Sequence, residues 1–320
     1  QCLAALVATP LRHWPPVAIL GAGATRAATP DAEASGRILP VTNELPDELA
    51  LADLLSGEQM AEARENFEAF FSHLHLEGEA ALVAEIEART FAYFDSVRLS
   101  DAVTLYDRLV LSLRRKDLIA TFNWDPLLAY AYRRSGKLGS LPALAFLHGN
   151  VLLGACHTDR RFGWNDDICD DCRRPMTGVR LLYPVENKDY TSDVGISQQW
   201  SLMEDHLEAA YFVTIFGWSA PVTDVDARTR IVQTLGRNPA SRFMQLEVID
   251  LRADQLISSS LAPIVADGVH HHCLESFDHS WLMAHPKMTC EAIFQATMQQ
   301  SPIRSCPQPV TSSLTELQSW

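Results

Sequence analysis

The segment Val17-Ala18-Ile19-Leu20-Gly21-Ala22-Gly23-Ala24-Thr25 decides the fold predicted for this chain. A short apolar run stops at two glycines, which is typical of a buried strand that enters a tight turn and then a helix. Such a turn can cradle phosphate, because glycine permits close backbone approach and a helix N-terminus favours negative charge. Ala27 and Ala28 stand where the third glycine of the usual dinucleotide fingerprint would lie. An ordinary strand–helix turn is therefore an equal alternative.

Further along the chain, apolar runs repeatedly end at polar or glycine-rich residues. The predicted strands, with the residues that follow them, are Leu118–Phe122 before Asn123-Trp124-Asp125, Leu144–Leu147 before His148-Gly149, Val179–Val185, Tyr211–Phe216 before Gly217-Trp218-Ser219, and Met244–Leu251. Predicted helices cover residues 195–210, 224–236 and 288–299. Alternating strands and helices predict an α/β fold with a Rossmann-like parallel sheet. Because ligands bind at the carboxyl ends of parallel strands, the polar residues are expected to form one composite site.

Residues 51–115 break this alternation and are predicted to form an inserted module of three amphipathic helices. The first of these helices is predicted from the helical spacing of five apolar residues, Met60, Ala63, Phe67, Phe70 and Leu74. Phe67, Phe70 and Phe71 are more apolar bulk than one buried stripe needs, which suggests a surface for a neighbouring subunit. The alternative is that they pack on the core of their own chain. Leu76-Glu77-Gly78-Glu79 is expected to be an exposed turn, and residues 286–320 are interpreted as a tail that follows one domain at 1–285.

The composition argues against several classes of protein. The chain has 320 residues, of which 47% are hydrophobic, and this suffices for one large domain with an insertion. A net charge of −14 argues against a nucleic acid as a direct partner, and Arg114-Arg115-Lys116 is interpreted as the charged end of a helix. No apolar run reaches the roughly 20 residues that cross a bilayer, and no secretory signal is visible. Seven cysteines without regular spacing indicate a reducing compartment, so a cytoplasmic protein is expected.

The residues after the strands have side chains suited to chemistry on a sugar. Asn123 offers a donor and an acceptor, and it can hold a ribose hydroxyl or orient a water molecule. Asp125 can cap the next helix or contact a ligand, with capping slightly favoured. His148 titrates near neutrality and can abstract a proton from a hydroxyl or a water molecule. Taken singly, His148, Gly217 and Ser219 would each more often be structural.

The cysteines between residues 150 and 180 form an incomplete metal-binding pattern. Cys169-Asp170-Asp171-Cys172 is a good half-site for zinc, and Cys156 is a candidate third ligand. His157 adjoins Cys156, and neighbouring residues rarely bind the same ion. A structural zinc ion and a degenerate segment held by packing are equal alternatives. His270–His272 is interpreted as a strand edge or loop without a function.

The order of these motifs resembles that of the sirtuin superfamily, from about Val17 to Leu282. The order is Gly-Ala-Gly, Thr-x-Asn-x-Asp, His-Gly, paired cysteines and Gly-x-Ser. The chain is more similar to the divergent bacterial sirtuin-like proteins of antiphage defence than to protein deacetylases. Three elements carry that similarity: the Gly-Ala-Gly-Ala-Thr turn, Asn123-Trp124-Asp125 followed by Leu127 and Leu128, and Pro184-Val185-Glu186-Asn187-Lys188.

The resemblance implies a protein that binds NAD⁺ and cleaves the bond between nicotinamide and ribose. Asn123 would position the nicotinamide ribose or the attacking water, and His148 would act as the base. The implied NAD⁺ contacts are Gly21, Ala22, Gly23 and Thr25 for the phosphates, Gly217 and Ser219 on the adenosine side, Asp250 near the adenine ribose, and Asp125 as a further contact. The family also implies a homo-oligomer or an assembly with a separate ATPase subunit.

Two departures from the deacetylase pattern argue against deacetylation and leave NAD⁺ binding unaffected, and the leading hypothesis is NAD⁺ hydrolysis to nicotinamide and ADP-ribose. Phe122 stands where deacetylases usually have glutamine, and Pro184-Val185-Glu186 replaces their Phe-Gly-Glu element. NAD⁺-dependent deacylation and ADP-ribosyl transfer to a protein stay as alternatives. A non-catalytic nucleotide sensor is a third hypothesis, although such a protein would not need both Asn123 and His148.

Overall fold

The computed structural model describes residues 14–29, 39–136, 141–183, 190, 193–221, 223–265, 269–311 and 313–320. Its centre is a sheet of six parallel strands, and a smaller antiparallel sheet of three strands lies beside it. The strands are β1 (Pro16–Leu20), β2 (Leu118–Thr121), β3 (Ala143–Phe146), β4 (Leu153–Cys156), β5 (Arg161–Trp164), β6 (Thr177–Gly178), β7 (Phe212–Phe216), β8 (Gln245–Ile249) and β9 (His270–Leu274).

The order of strands in the large sheet is β3-β2-β1-β7-β8-β9. Successive strands step outward from β1 in one direction and from β7 in the other, which is the doubly wound order of the Rossmann fold. The predicted α/β fold class is therefore confirmed. A parallel sheet of this kind opens a crevice at the carboxyl ends of the two strands where the order reverses. In this chain those strands are β1 and β7, which end at Leu20 and Phe216.

Helices cover both faces of the large sheet. They are α1 (Ala22–Ala28), α2 (Leu45–Glu48), α3 (Gly57–Glu65), α4 (Phe67–Glu77), α5 (Ala80–Asp95), α6 (Leu105–Ser112), α7 (Leu127–Ser135), α8 (Val194–Glu208), α9 (Val225–Arg237), α10 (Ala253–Ile257), α11 (Trp281–Ala284), α12 (Thr289–Thr297) and α13 (Leu314–Ser319). Side chains alternate along β1, so that Val17 and Ile19 join one hydrophobic core and Ala18 and Leu20 join the other. Among the described residues, no helix is long and apolar enough to cross a membrane.

The inserted module contains one helix more than the sequence predicts. Residues 51–115 are fully described and form α3, α4, α5 and α6. The stripe from Met60 to Leu74 belongs to two helices, because Asn66 interrupts it with a non-helical backbone and its side chain accepts a hydrogen bond from the Ala69 amide. Asparagine is a favoured N-cap for this reason. Apolar spacing alone did not reveal the break.

The phenylalanines of α4 are buried within their own chain. Phe67, Phe70 and Phe71 are each at most 1% exposed and belong to the larger hydrophobic core. The prediction that they exceed the needs of the fold and face a neighbour is wrong, since the sheet and the surrounding helices use all three. The segment 76–79 is exposed as expected, with Leu76 82% exposed, but α4 continues to Glu77, so that only Gly78 and Glu79 form the turn.

One other part of the chain differs from the sequence-based interpretation. Residues 179–183 of the predicted strand Val179–Val185 form no strand, because the short β6 before them already pairs with β4; the rest of that segment lies outside the described residues. The C-terminal residues pack on the domain, where the Arg108 guanidinium donates to the carbonyls of Pro309 (2.9 Å) and Thr311 (3.2 Å). His270–His272 lies on β9 at the edge of the sheet, as expected.

Candidate functional site

A cleft of about 310 Å³ lies at the carboxyl ends of β1, β2 and β7, where the strand order reverses. Every residue predicted from the sequence for catalysis or NAD⁺ contact lines it, namely Gly21, Ala22, Gly23, Thr25, Asn123, Asp125, His148, Gly217, Ser219 and Asp250. Glu68 and Phe94 come from the inserted module, so that module forms part of the wall. The fold thus brings together residues that are more than two hundred positions apart in the chain.

The glycine turn after β1 packs directly on the turn after β7. A Cβ atom at Gly21 would lie 2.5 Å from the carbonyl oxygen of Gly217, and one at Gly23 would lie 2.8 Å from the Gly217 Cα. The Gly21 amide donates to the Phe216 carbonyl and the Gly23 amide to the Gly217 carbonyl, each at 3.0 Å. The glycines are therefore required by packing between the turns. Among the described residues, no hydrogen bond uses the Ala22 amide at the start of α1.

Thr25 is the centre of a buried hydrogen-bond network at the base of the cleft. Its hydroxyl donates to Asp125 Oδ2 at 2.8 Å and accepts from Asn123 Nδ2 at 2.8 Å. Because that single hydroxyl proton goes to Asp125, the Tyr106 hydroxyl, 2.5 Å away, must be a donor to Thr25. Tyr106, on α6, is a functional candidate that sequence reasoning missed, since its spacing was explained by the core.

Asp125 combines the two roles that the sequence left open. Its Oδ1 accepts from the Leu127 amide at 3.0 Å at the start of α7, and its Oδ2 faces Thr25. Burial raises the pKa of this carboxyl to about 6, against the opposing effect of the hydrogen bond from Thr25. Asp125 is thus a helix-capping residue that is also a wall of the cleft.

Asn123 is held by its amide nitrogen. Nδ2 donates to the Gly21 carbonyl at 2.9 Å as well as to Thr25, which fixes the orientation of the side chain. No described hydrogen bond reaches Oδ1, which therefore offers an acceptor for a hydroxyl group or a water molecule.

His148 belongs to a cluster with Tyr190 and Asp224. His148 Nε2 lies 2.9 Å from the Tyr190 hydroxyl and 3.2 Å from Asp224 Oδ2, and the Tyr190 hydroxyl donates to Asp224 Oδ1 at 2.8 Å. Burial and the nearby Asp224 carboxylate both raise the pKa of Tyr190 well above its usual value, so that it keeps its proton. Sequence reasoning missed both partners. Asp224 follows β7 at the same edge as Gly217, which is the signal that could have identified it.

Aromatic rings form one wall of the cleft and hold His148 in place. Phe122 stacks on Trp218 with ring centroids 4.6 Å apart, and it contacts the His148 ring edge-on at 4.8 Å. The other charged lining residues are Glu68, Asp125, Asp224, Asp250 and Arg252. Asp250 accepts from the Arg252 amide at 2.8 Å, and this bond orders the turn after β8.

A separate cluster of three cysteines and one aspartate can hold a metal ion. One ligand atom from each of Cys156, Asp159, Cys169 and Cys172 lies within 4.8 Å of the others. The Cys156 and Cys172 sulfurs are 3.4 Å apart, and Asp159 Oδ2 is 3.2 Å from the Cys169 sulfur. Tetrahedral zinc with bonds of about 2.3 Å would separate its sulfur ligands by about 3.8 Å, which is close to this arrangement.

Asp159 was missed because only cysteine and histidine were considered as ligands. His157 is exposed and is not part of the cluster. The spacing from Cys156 to Asp159 equals that from Cys169 to Cys172, and the residue after each pair has a left-handed backbone, with φ 53° at Arg160 and 58° at Arg173. The two halves of the cluster therefore have the same local geometry, and this repeated spacing was the available signal.

Comparisons with known proteins give similarity to solved structures only. No protein-family model matches the chain, and no curated protein matches it. A Sir2 homologue in complex with NAD is 13% identical, with a TM-score of 0.37, and the similarity covers 89% of this chain and 92% of that one. A mutant Sir2 homologue in complex with ADP ribose is 14% identical with a TM-score of 0.40, covering 92% and 97%. Sir2 bound to an acetylated peptide is 13% identical with a TM-score of 0.38, covering 89% and 93%. Similarity at this level concerns the fold alone, and the ligands named are those of the other proteins.

Proposed function

We propose that this chain is a sirtuin-like NAD⁺ glycohydrolase that produces nicotinamide and ADP-ribose. The observation that carries the proposal is the position of Asn123 and His148 in one cleft at the carboxyl edge of the sheet. The cleft lies where doubly wound folds bind nucleotides. NAD⁺ is proposed over other nucleotides because the order of motifs along the chain resembles that of the sirtuin superfamily.

The proposed reaction is a dissociative cleavage of the glycosidic bond. The bond between C1′ and the pyridinium nitrogen breaks, its electron pair goes to nicotinamide, and the ribose develops oxocarbenium character. Water forms the new bond to C1′, and its proton passes to His148. Asn123 Oδ1 accepts from a ribose hydroxyl or from that water, while its Nδ2 stays fixed on Gly21 and Thr25. Preorganised polar groups of this kind lower a barrier because they need no reorientation during the reaction.

We propose the remaining contacts to NAD⁺ as follows. The first turn of α1 approaches the phosphates through Ala22, beside Gly21, Gly23 and Thr25. Gly217, Ser219 and Asp250 lie towards the adenosine, and Asp125 supports Thr25 and Asn123 from below. The catalytic domain is proposed to span residues 1–285. A structural zinc ion bound by Cys156, Asp159, Cys169 and Cys172 would stabilise the segment between β4 and β6.

We also propose that the enzyme is a restrained effector of bacterial defence. An unrestrained NAD⁺ hydrolase would consume the cofactor of its own cell, so activity must depend on assembly, either with further copies or with an ATPase subunit. Light scattering coupled to size exclusion tests this directly. A monomer at micromolar concentration that hydrolyses NAD⁺ at full rate, whatever its partners, would contradict it.

The proposed activity is tested by incubating the full chain with NAD⁺ and separating the products. Nicotinamide and ADP-ribose are expected in equal amounts. Asn123→Ala and His148→Ala should each abolish turnover with little change in melting temperature, while His279→Ala, which removes an exposed histidine far along the chain, should retain it. Full activity in either cleft variant would remove that residue from the mechanism. Binding of NAD⁺ without any product would favour the nucleotide sensor.

A further inference from the structure

Among the described residues, two groups face His148 Nε2, and both are hydrogen-bond acceptors. Tyr190 has one hydroxyl proton, and it is directed to Asp224 Oδ1. Towards the histidine, the Tyr190 oxygen can therefore act only as an acceptor. The Asp224 Oδ2 atom is an acceptor as well. Two acceptors around one ring nitrogen require that this nitrogen carries a proton.

The three side chains are buried and rigidly placed. Tyr190 is 3% exposed, Asp224 3% and His148 9%. The Tyr190 ring packs on Trp200 with centroids 4.6 Å apart, and the His148 ring lies between Phe122 and Tyr190. Asp224 also accepts from the Ala227 amide at the start of α9, so its position is tied to a helix of the fold. Such surroundings keep the hydrogen bonds in one geometry.

We infer that Tyr190 and Asp224 are positioning residues that hold neutral His148 as the Nε2–H tautomer, with the basic lone pair on Nδ1. This inference rests on the proposed function for its chemical role, because Nδ1 is then the atom that takes the proton from the attacking water. The Asp224 carboxylate stabilises the imidazolium that this transfer creates. Tyr190 orients the carboxylate through Oδ1 and leaves Oδ2 to the histidine. A second group that orients a catalytic base is a general feature of activated water and nucleophiles.

Two further carboxylates near the cluster also favour the imidazolium. Glu68 of α4 lines the same cleft, and its carboxylate accepts from the Thr223 hydroxyl one residue before Asp224. Asp226 lies in the first turn of α9, and both Glu68 and Asp226 act on Tyr190 in the same direction as Asp224. Asp224 differs from these two because it contacts the His148 ring directly.

The test compares Asp224→Asn and Tyr190→Phe with the control Asp226→Asn, all in the full chain. Asparagine preserves the shape of Asp224 and its capping of α9, and the control removes an exposed carboxylate from the same turn. Long-range ¹H–¹⁵N NMR of the histidine rings, with His148 assigned by the loss of its signal in His148→Ala, reports the tautomer and the titration midpoint. The wild type should show the Nε2–H form. Asp224→Asn should lower the midpoint by about one pH unit or more, while Asp226→Asn should change it much less.

Kinetics give the second measurement. Asp224→Asn should lower kcat by about two to four orders of magnitude with less than about a threefold change in KM. The substitution removes the group that orients the base, while the contacts that bind the substrate stay in place. Tyr190→Phe should lower kcat by about tenfold. An Nδ1–H tautomer in the wild type, or an unchanged midpoint in Asp224→Asn, would overturn the inference. A wild type that shows the expected tautomer and titration without hydrolysing NAD⁺ would overturn the proposed function and leave the positioning pair intact.

Discussion

Gly217 lies directly against the first turn of α1, so that a Cβ atom at Gly217 would sit 2.2 Å from the backbone nitrogen of Ala24. Gly217 also has φ +62°, a left-handed conformation in which side chains are strained. The turns after β1 and β7 therefore form one packed unit at the reversal of strand order. This unit fixes the base of the cleft before any ligand binds.

Gly217→Ala is expected to destabilise the fold strongly. The left-handed backbone costs about 1 to 2 kcal/mol for alanine, and the contact with Ala24 adds about 1 to 3 kcal/mol of overpacking. Gly236→Ala is the matched control, because a Cβ there meets nothing within 4 Å and the position lies inside α9. That control should be neutral or up to about 1 kcal/mol more stable. Equal free energies of unfolding for the two variants in urea would refute the interlocked turns.

The buried carboxyl of Asp125 predicts a particular dependence of stability on pH. Its pKa is about 6 in the folded protein and about 3.9 in an unfolded chain. The folded state thus holds a proton that the unfolded state releases, so this contribution to stability is complete below about pH 4 and is lost as the pH rises through 6. Relative to the non-titrating Asp125→Asn, the wild type should lose about 2 to 3 kcal/mol between about pH 4 and pH 8.

Chemical denaturation at a series of pH values measures this difference. Asp166→Asn serves as the control, since the Asp166 side chain is 59% exposed beside Arg133, and it should follow the wild type. A constant difference between wild type and Asp125→Asn from pH 4 to pH 8 would show that Asp125 titrates normally.

The sequence predicted five of the six strands of the large sheet, because each of the five is a short apolar run that stops at a polar or glycine-rich turn. Asn123, His148 and Gly217 could be assigned to one edge for that reason, since parallel strands bring their carboxyl ends together. Tyr190 could not be assigned in this way, and Asp224 was not singled out although it follows β7. Tyr190 lies on no strand, and an aspartate at the start of a helix is more simply explained as a cap.

The interactions of the inserted module also lay beyond sequence reasoning. The helical spacing of Phe67, Phe70 and Phe71 shows that they share a face but not what covers it. Tyr106 shows the same limit, because its hydroxyl reaches Thr25 only after α6 has packed beside α1. Contacts between elements that are distant in the chain depend on the packing of the whole sheet and its helices.

Acetylated lysine peptides are predicted to be poor substrates. Phe122 occupies the position after β2 and is held between Trp218 and His148, which fills the space beside the base with an aromatic ring. Nicotinamide release should therefore proceed with water alone and change by less than about twofold when acetylated peptide is added. Mass spectrometry of the peptide gives the decisive reading. A strong rise in nicotinamide release together with deacetylated peptide would place the chain among the deacylases.

The cluster of Cys156, Asp159, Cys169 and Cys172 is predicted to bind one structural zinc ion per chain. Three thiolates and one carboxylate suit tetrahedral zinc, and the four ligand atoms already lie within 4.8 Å of one another. Because the metal joins the end of β4 to the loop before β6, chelation should lower the melting temperature, and Cys169→Ser should lower both zinc content and melting temperature. Asp159→Asn should weaken zinc binding by about tenfold or more, because it removes a charged ligand.

Cys306→Ser is the control for these variants, since it changes an exposed cysteine outside the cluster, and it should keep the full zinc content. Elemental analysis of protein purified without chelator decides the matter, and a value well below one zinc per chain would mean that packing alone holds this segment.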